Sequence, residues 1–93
     1  MQEKRVVVTG LGVISPLGND VYTFWQALKE GKSGIGPITS FDASDFDSRI
    51  AGEVKGFDAS LYGLSAKDTK RMEKFVQYAV AASKLSIDDA GLD

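Results

Sequence analysis

A set of basic residues near the C-terminus of this chain has the spacing of one helical face. The positions i, i+3, i+4 and i+7 are occupied by Lys67, Lys70, Arg71 and Lys74. At about 100° per residue, such positions share one stripe of an α-helix. On a chain of net charge −2, this stripe forms a local positive patch that suits an acidic partner. The alternative is an ordinary solvated face, partly neutralised by Asp68 or Glu73.

The chain contains no cysteine and no histidine. It therefore lacks thiolate nucleophiles, imidazole bases and the usual zinc ligands. Thr9 and Ser15 carry hydroxyls without a partner base, and the Phe-Asp pairs lack the spacing of a calcium loop. We therefore expect no catalytic residue, no cofactor and no metal site, and we predict that the 93-residue chain alone is inactive.

The segment RVVVTGLGVISPLGND, residues 5–20, has the look of a nucleotide-binding turn. A dinucleotide fingerprint requires G-x-G-x-x-G opening directly into a helix. Gly10 and Gly12 fit the first two positions, but Ser15 occupies the third and Gly18 comes three residues late. We expect instead that the glycines let the chain turn tightly where it leaves a crowded sheet.

The residues from Arg5 to Thr9 predict a β-strand. Three consecutive valines suit a strand that is covered on both faces. Such a strand needs neighbours on both sides, yet the only other candidate is a weak strand near residues 50–54. Because unpaired backbone groups on an apolar strand are costly, the sequence predicts an incomplete sheet. The chain is therefore expected to be a piece of a larger fold.

An apolar pattern predicts the first helix, over about residues 20–30. Its members fall at i, i+3, i+4 and i+7: Val21, Phe24, Trp25 and Leu28. Asn19 is expected to cap this helix and Gly31 to end it. Of the apolar residues, Phe24 and Trp25 are expected in the core.

Residues 66–90 carry the strongest pattern. Ser65 and Asp68 fit a capping box at the start, and Gly91 offers a stop. The pattern predicts one helix, or two helices joined by a kink. Two of its apolar residues are expected in the core: Met72 and Phe75. Between the two helical regions, residues 32–65 predict an ordered loop held by aromatic side chains.

Length and composition limit the remaining possibilities. With 93 residues, the chain is one domain or part of one. No apolar run approaches the length of a membrane span, and the net charge gives no reason to expect nucleic acid. Without cysteines there is no disulfide framework, so the cytoplasm is the expected location.

Four segments together resemble one protein family. They are RVVVTGLGVISPLGND, FWQALKEGKSGIGPITSFD, IAGEVKGFD and KDTKRMEKFVQYAVAAS. In this order and at this spacing, from about Lys4 to Gly91, they resemble the N-terminus of the β-ketoacyl-[acyl-carrier-protein] synthases. The resemblance is greatest to the elongating group, β-ketoacyl-ACP synthase II. Ketosynthase domains of polyketide synthases share the first segment and are the nearest relatives to exclude.

The resemblance implies an α/β fold and an activity for a longer protein. The family has the thiolase-like fold, five layers in the order αβαβα built from two similar halves, and works as a homodimer. Residues 1–93 would form the N-terminal part of the first half, with the sheet incomplete. The family elongates acyl chains held on acyl carrier protein (ACP), using a cysteine and two histidines that lie beyond residue 93.

The resemblance also implies a partner surface. Basic residues at the positions of Lys67, Lys70 and Arg71 look like part of the ACP-docking surface, whereas Lys74 has no equally clear counterpart. The expected partner is therefore ACP, carrying an acyl or a malonyl group. The competing hypothesis is a complete, non-catalytic small protein that associates through its unfinished sheet.

Overall fold

The computed structural model describes residues 3–92. The elements are α1 (Val21–Lys29), β1 (Ile35–Pro37), β2 (Ile50–Gly52), a 3₁₀ helix (Ala59–Tyr62), α2 (Ala66–Thr69) and α3 (Lys74–Ala90). The radius of gyration is 16.7 Å, whereas a compact domain of this length has a value of about 12 Å. The described residues therefore form an extended piece of structure.

The core formed by residues 3–92 is small. Its buried apolar side chains are Ala27, Ala43, Leu64 and Ala81. None of the larger side chains in this part of the chain is fully buried. Many large apolar side chains of this part of the chain are exposed, which agrees with the prediction of an incomplete sheet in a piece of a larger fold.

The predicted strand from Arg5 to Thr9 forms no β-ladder among the described residues. The side chains of Val6 and Val8 are 94% and 79% exposed. A strand is defined by hydrogen bonds to a neighbour, and no strand of residues 3–92 lies beside this segment. The predicted strand is thus not observed, and its missing neighbours are the physical reason.

Two glycines of the opening segment, Gly10 and Gly12, lie against α3. A Cβ atom on Gly12 would collide with the carbonyl oxygen of Ala82, and one on Gly10 would collide with that of Ser86. Between them, the Leu11 amide donates to the Asp89 carboxylate at 2.9 Å. The glycines therefore allow a close approach of two backbones, and the crowding comes from a helix where the sequence suggested a sheet.

Helix α1 matches its predicted range, but its cap is Asp20 and not Asn19. The Thr23 amide donates to the Asp20 carboxylate at 2.7 Å, whereas the Asn19 amide group donates to the Lys55 carbonyl. The Trp25 side chain is 55% exposed, so its expected place in the core is not observed, while Phe24 is half-buried. Val21 and Leu28 of the same apolar face are also exposed.

The loop region contains a hairpin. Strands β1 and β2 pair antiparallel, with Ile35 opposite Gly52. The sequence predicted the second strand but missed the first, because three residues containing a glycine and a proline give no strand pattern. Aromatic contacts hold the rest of the loop, as predicted: Phe41 contacts Phe46 edge-to-face with ring centres 5.8 Å apart.

The C-terminal region forms two helices, α2 and α3. This is one of the two predicted arrangements, two helices joined by a kink. The capping box is present: the Asp68 amide donates to the Ser65 hydroxyl at 3.1 Å, and the Ser65 amide donates to the Asp68 carboxylate at 3.2 Å. Gly91, at a φ of 71°, ends α3. Met72 is half-buried, but Phe75 is 73% exposed, so its expected core position is not observed.

Candidate functional site

The predicted cationic stripe is bent by the break between α2 and α3. Lys67 lies on α2, Lys70 is its C-cap, Arg71 lies in the turn and Lys74 is the first residue of α3. All four side chains are exposed. The prediction of one continuous helical face is therefore wrong, because the chain leaves the helical path after Thr69 and resumes it at Lys74.

The bend brings three of the basic residues to one groove. This groove, of about 750 Å³, lies between the 3₁₀ helix and the turn that joins α2 to α3. Its cationic lining residues are Lys70, Arg71 and Lys74, and its larger apolar lining residues are Phe57, Leu64 and Met72. Lys67 is not part of this lining. We call this site the cationic groove.

The groove cations are not engaged in ion pairs within residues 3–92. The ion pairs of this part of the chain join Lys32 to Glu30 and Lys84 to Asp88. The Asp68 carboxylate, which the alternative interpretation set against this charge, forms no ion pair in this range and accepts from the Ser65 amide in the capping box. The cations therefore remain available to a partner's charges.

Two carboxylates also line the groove: Asp58 and Glu73. The Ser60 hydroxyl, and then the Ser60 amide, lower the pKa of Asp58 by hydrogen bonding to its carboxylate. The hydroxyl lies 2.6 Å from that carboxylate and the amide 3.0 Å. Asp58 thus stays ionised while it caps the 3₁₀ helix, and the groove keeps an excess of positive charge.

Aromatic packing fixes the apolar wall of the groove. The Phe57 ring stacks on Tyr62 with ring centres 5.5 Å apart and forms an edge-to-face pair with Tyr78 at 4.9 Å. These contacts join the loop before the 3₁₀ helix to α3. Sequence reasoning missed this wall, although the Phe57-Asp58 pair marked its position without indicating its neighbours.

The groove is lined by cationic, acidic and apolar side chains, with neither cysteine nor histidine among them. Within residues 3–92 no group of acidic side chains gathers as a metal site. None of the helices in the described range is long and apolar enough to cross a membrane. A cationic rim beside an apolar wall suits an acidic, amphipathic protein surface.

Comparison with known proteins identifies relatives along nearly the whole chain. The family model for the β-ketoacyl synthase N-terminal domain matches residues 3–93. The 3-oxoacyl-[acyl-carrier-protein] synthase 2 of Synechocystis is 55% identical over 92 residues, which cover 99% of this chain and 22% of that protein. The synthase of the same name from Vibrio harveyi is 50% identical over 93 residues, again covering 22% of its length.

A solved structure shares the fold. The ishigamide ketosynthase/chain length factor matches with a TM-score of 0.83 and 40% identity, over 94% of this chain and 21% of that one. This match confirms the predicted fold class, the N-terminal portion of a thiolase-like α/β fold with the sheet incomplete in these residues. The chain spans about a fifth of the length of the relatives it matches.

Proposed function

This chain belongs to the β-ketoacyl synthase family, and from that premise we propose that it is the N-terminal segment of a 3-oxoacyl-ACP synthase. The complete protein, here called the parent synthase, elongates acyl-ACP by decarboxylative Claisen condensation with malonyl-ACP. Residues 1–93 form the N-terminal part of its first thiolase-like half. They contribute scaffold and part of the ACP-docking surface.

The proposed reaction uses residues outside this segment. A cysteine thiolate displaces the ACP thiol from acyl-ACP and becomes an acyl thioester. Malonyl-ACP then loses CO₂, and the resulting carbanion attacks that thioester and releases the thiolate. The product is a 3-oxoacyl-ACP two carbons longer. Because the segment has no cysteine and no histidine, we propose that it is inactive alone.

The observation that carries the docking role is the cationic groove. Lys70 and Arg71 project from a turn that has no ion pair within residues 3–92. ACP is small and acidic, so a positive patch beside an apolar wall both steers and orients it. Lys67 is exposed on α2 outside the groove. We propose it as a further contact with ACP.

Charge reversal in the parent synthase tests this role. The double variant Lys70→Glu/Arg71→Glu is expected to raise KM for acyl-ACP about tenfold, because it replaces attraction by repulsion. The increase should shrink as salt rises, since salt screens exposed charges. The KM for a small acyl thioester without carrier protein should not change.

The matched control is Lys29→Glu/Lys32→Glu, which changes the net charge equally at exposed residues outside the groove. It should leave KM for acyl-ACP within about twofold. An unchanged KM in the groove variant, at both low and moderate salt, would remove the docking role.

A second candidate function is a ketosynthase of polyketide synthesis. The observation in its favour is the structural match to the ishigamide ketosynthase/chain length factor at 40% identity. The matches to synthases named 3-oxoacyl-[acyl-carrier-protein] synthase 2, at 42–55% identity, favour fatty-acid elongation. Comparing kcat/KM of the parent synthase for carrier proteins of the two pathways decides between them.

The self-associating small module is the other alternative, and the matches at 50–55% identity to much longer synthases favour the parent synthase over it. For the parent synthase we propose a homodimer, as the family resemblance implies, and a cytoplasmic location, because the chain offers no disulfide framework. Sedimentation equilibrium of the purified parent synthase tests the dimer, and fractionation of the cell tests the location.

A further inference from the structure

Gln77 is a buried polar residue of α3, with a side chain only 6% exposed. Its amide nitrogen donates to the Met72 carbonyl at 3.1 Å and to the Thr69 carbonyl at 3.4 Å. These two carbonyls flank the turn that carries Lys70 and Arg71. One side chain therefore joins α3 to both ends of that turn.

The Met72 carbonyl needs such a donor. In a continuous helix it would accept from the Val76 amide, but that amide donates to the Glu73 carbonyl at 3.1 Å. The Gln77 amide likewise donates to the Glu73 carbonyl. Within residues 3–92 the Gln77 side chain is thus the partner that satisfies the Met72 carbonyl.

The other hydrogen bonds of the turn are local in sequence. The Lys70 amide donates to the Ala66 carbonyl and the Arg71 amide to the Asp68 carbonyl. Such bonds define the shape of a turn but do not fix its orientation relative to the next helix. Because the side chains of Lys70 and Arg71 make no ion pair in the described range, their placement depends on the turn backbone.

We propose that Gln77 is a positioning residue for carrier-protein docking: it holds the α2–α3 turn against α3 and so directs Lys70 and Arg71 into the cationic groove. The inference rests on the proposed docking function of that groove. Lys74 belongs to α3 itself, so its position does not depend on this link. Loss of the link should therefore affect two of the three groove cations.

The test replaces Gln77 in the parent synthase. Gln77→Met keeps the length and burial of the side chain but removes the donor. KM for acyl-ACP is expected to rise about three- to tenfold, while kcat and the KM for a small acyl thioester without carrier protein stay within about twofold. Gln77→His, which retains a ring N–H donor, should restore KM for acyl-ACP toward that of the unaltered protein.

A structural control separates positioning from general destabilisation. Ala27→Gly removes a buried methyl group from α1 and lowers helix propensity. It should lower the melting temperature without raising KM for acyl-ACP. If Gln77→Met does not fold, Gln77→Glu takes its place, because it keeps the shape and puts an acceptor where the donor was.

A double-mutant cycle distinguishes failure of this inference from failure of the docking function. On a Lys70→Ala/Arg71→Ala background, Gln77→Met should have little further effect on KM. If charge reversal at Lys70 and Arg71 raises KM but Gln77→Met leaves it unchanged, the positioning role is overturned and docking stands. If Gln77→Met acts equally on both backgrounds, its effect is structural and the positioning role is again overturned. If charge reversal has no effect, the docking role and this inference fall together.

Discussion

The ammonium group of Lys74 lies 6.0 Å from the centre of the Phe57 ring. At this separation a cation over an aromatic face gains about 0.5–1 kcal/mol at an exposed site. Since Phe57 is itself held by Tyr62 and Tyr78, the contact places the Lys74 charge over a fixed apolar wall. The family resemblance offered no clear counterpart for Lys74, but the structure places it in the groove and leaves Lys67 outside.

This arrangement predicts an order of effects for single charge removals in the parent synthase. Lys74→Met keeps the aliphatic stem and should raise KM for acyl-ACP about two- to fivefold, because one groove charge is lost. The matched variant Lys67→Met should raise it less. Steady-state kinetics at low salt measure both values, and a larger effect at Lys67 would show that the groove does not define the docking surface.

The contact between the opening segment and α3 predicts a large loss of stability for a small substitution. Gly12→Ala places a Cβ atom against the Ala82 carbonyl, so two backbones must separate, at a cost of about 2 kcal/mol or more. The control Gly36→Ala adds its Cβ atom in open space and should be nearly neutral. Chemical denaturation of the parent synthase measures both, and equal stability of the two variants would contradict the close packing.

The hairpin predicts an acid-sensitive contribution to stability. The Thr39 hydroxyl hydrogen bond, opposed by partial burial and supported by the Thr39 and Ser40 amides, lowers the pKa of Glu53. The Thr39 hydroxyl lies 2.9 Å from the carboxylate. Because the pKa is lower in the folded state, the contribution is present above the ordinary glutamate value of about 4.3 and is lost as pH falls through the lowered value.

The variant Glu53→Gln isolates this contribution. It should be less stable than the unaltered parent synthase at pH 6, and the difference should narrow as pH falls toward 3. Free energies of unfolding at each pH provide the measurement. A difference that stays constant with pH would show that the Glu53 charge does not contribute.

The exposed valines predict the behaviour of the isolated 93-residue chain. With Val6 and Val8 open to solvent and unpaired, we expect the chain to be poorly stable or to associate. Val7→Lys, which places a charge on this segment, should reduce association in sedimentation velocity runs. A compact monomer at high concentration that melts cooperatively would favour the independent small module.

Local structure followed from the sequence where neighbouring residues determine it. The capping box at Ser65 and Asp68, the end of α3 at Gly91 and the range of α1 all depend on side chains within a few positions of each other. The same local patterns, taken in series, supported the resemblance that the family match confirms. The cap of α1 was misplaced by one residue, because Asn19 and Asp20 are both good caps and only the Asn19 contact with Lys55 separates them.

The tertiary structure decided the contacts between residues that are distant in sequence. Helical spacing placed the four basic residues on one stripe, but the link from Gln77 to the Met72 carbonyl accompanies a break that divides them. The apolar wall at Phe57 and the approach of Gly12 to α3 likewise depend on packing across the fold. The sequence by itself determined which residues form helices and turns and which carry charge, because short-range sterics and hydrogen bonds govern local structure. The groove exists only because packing brings separate segments to one place.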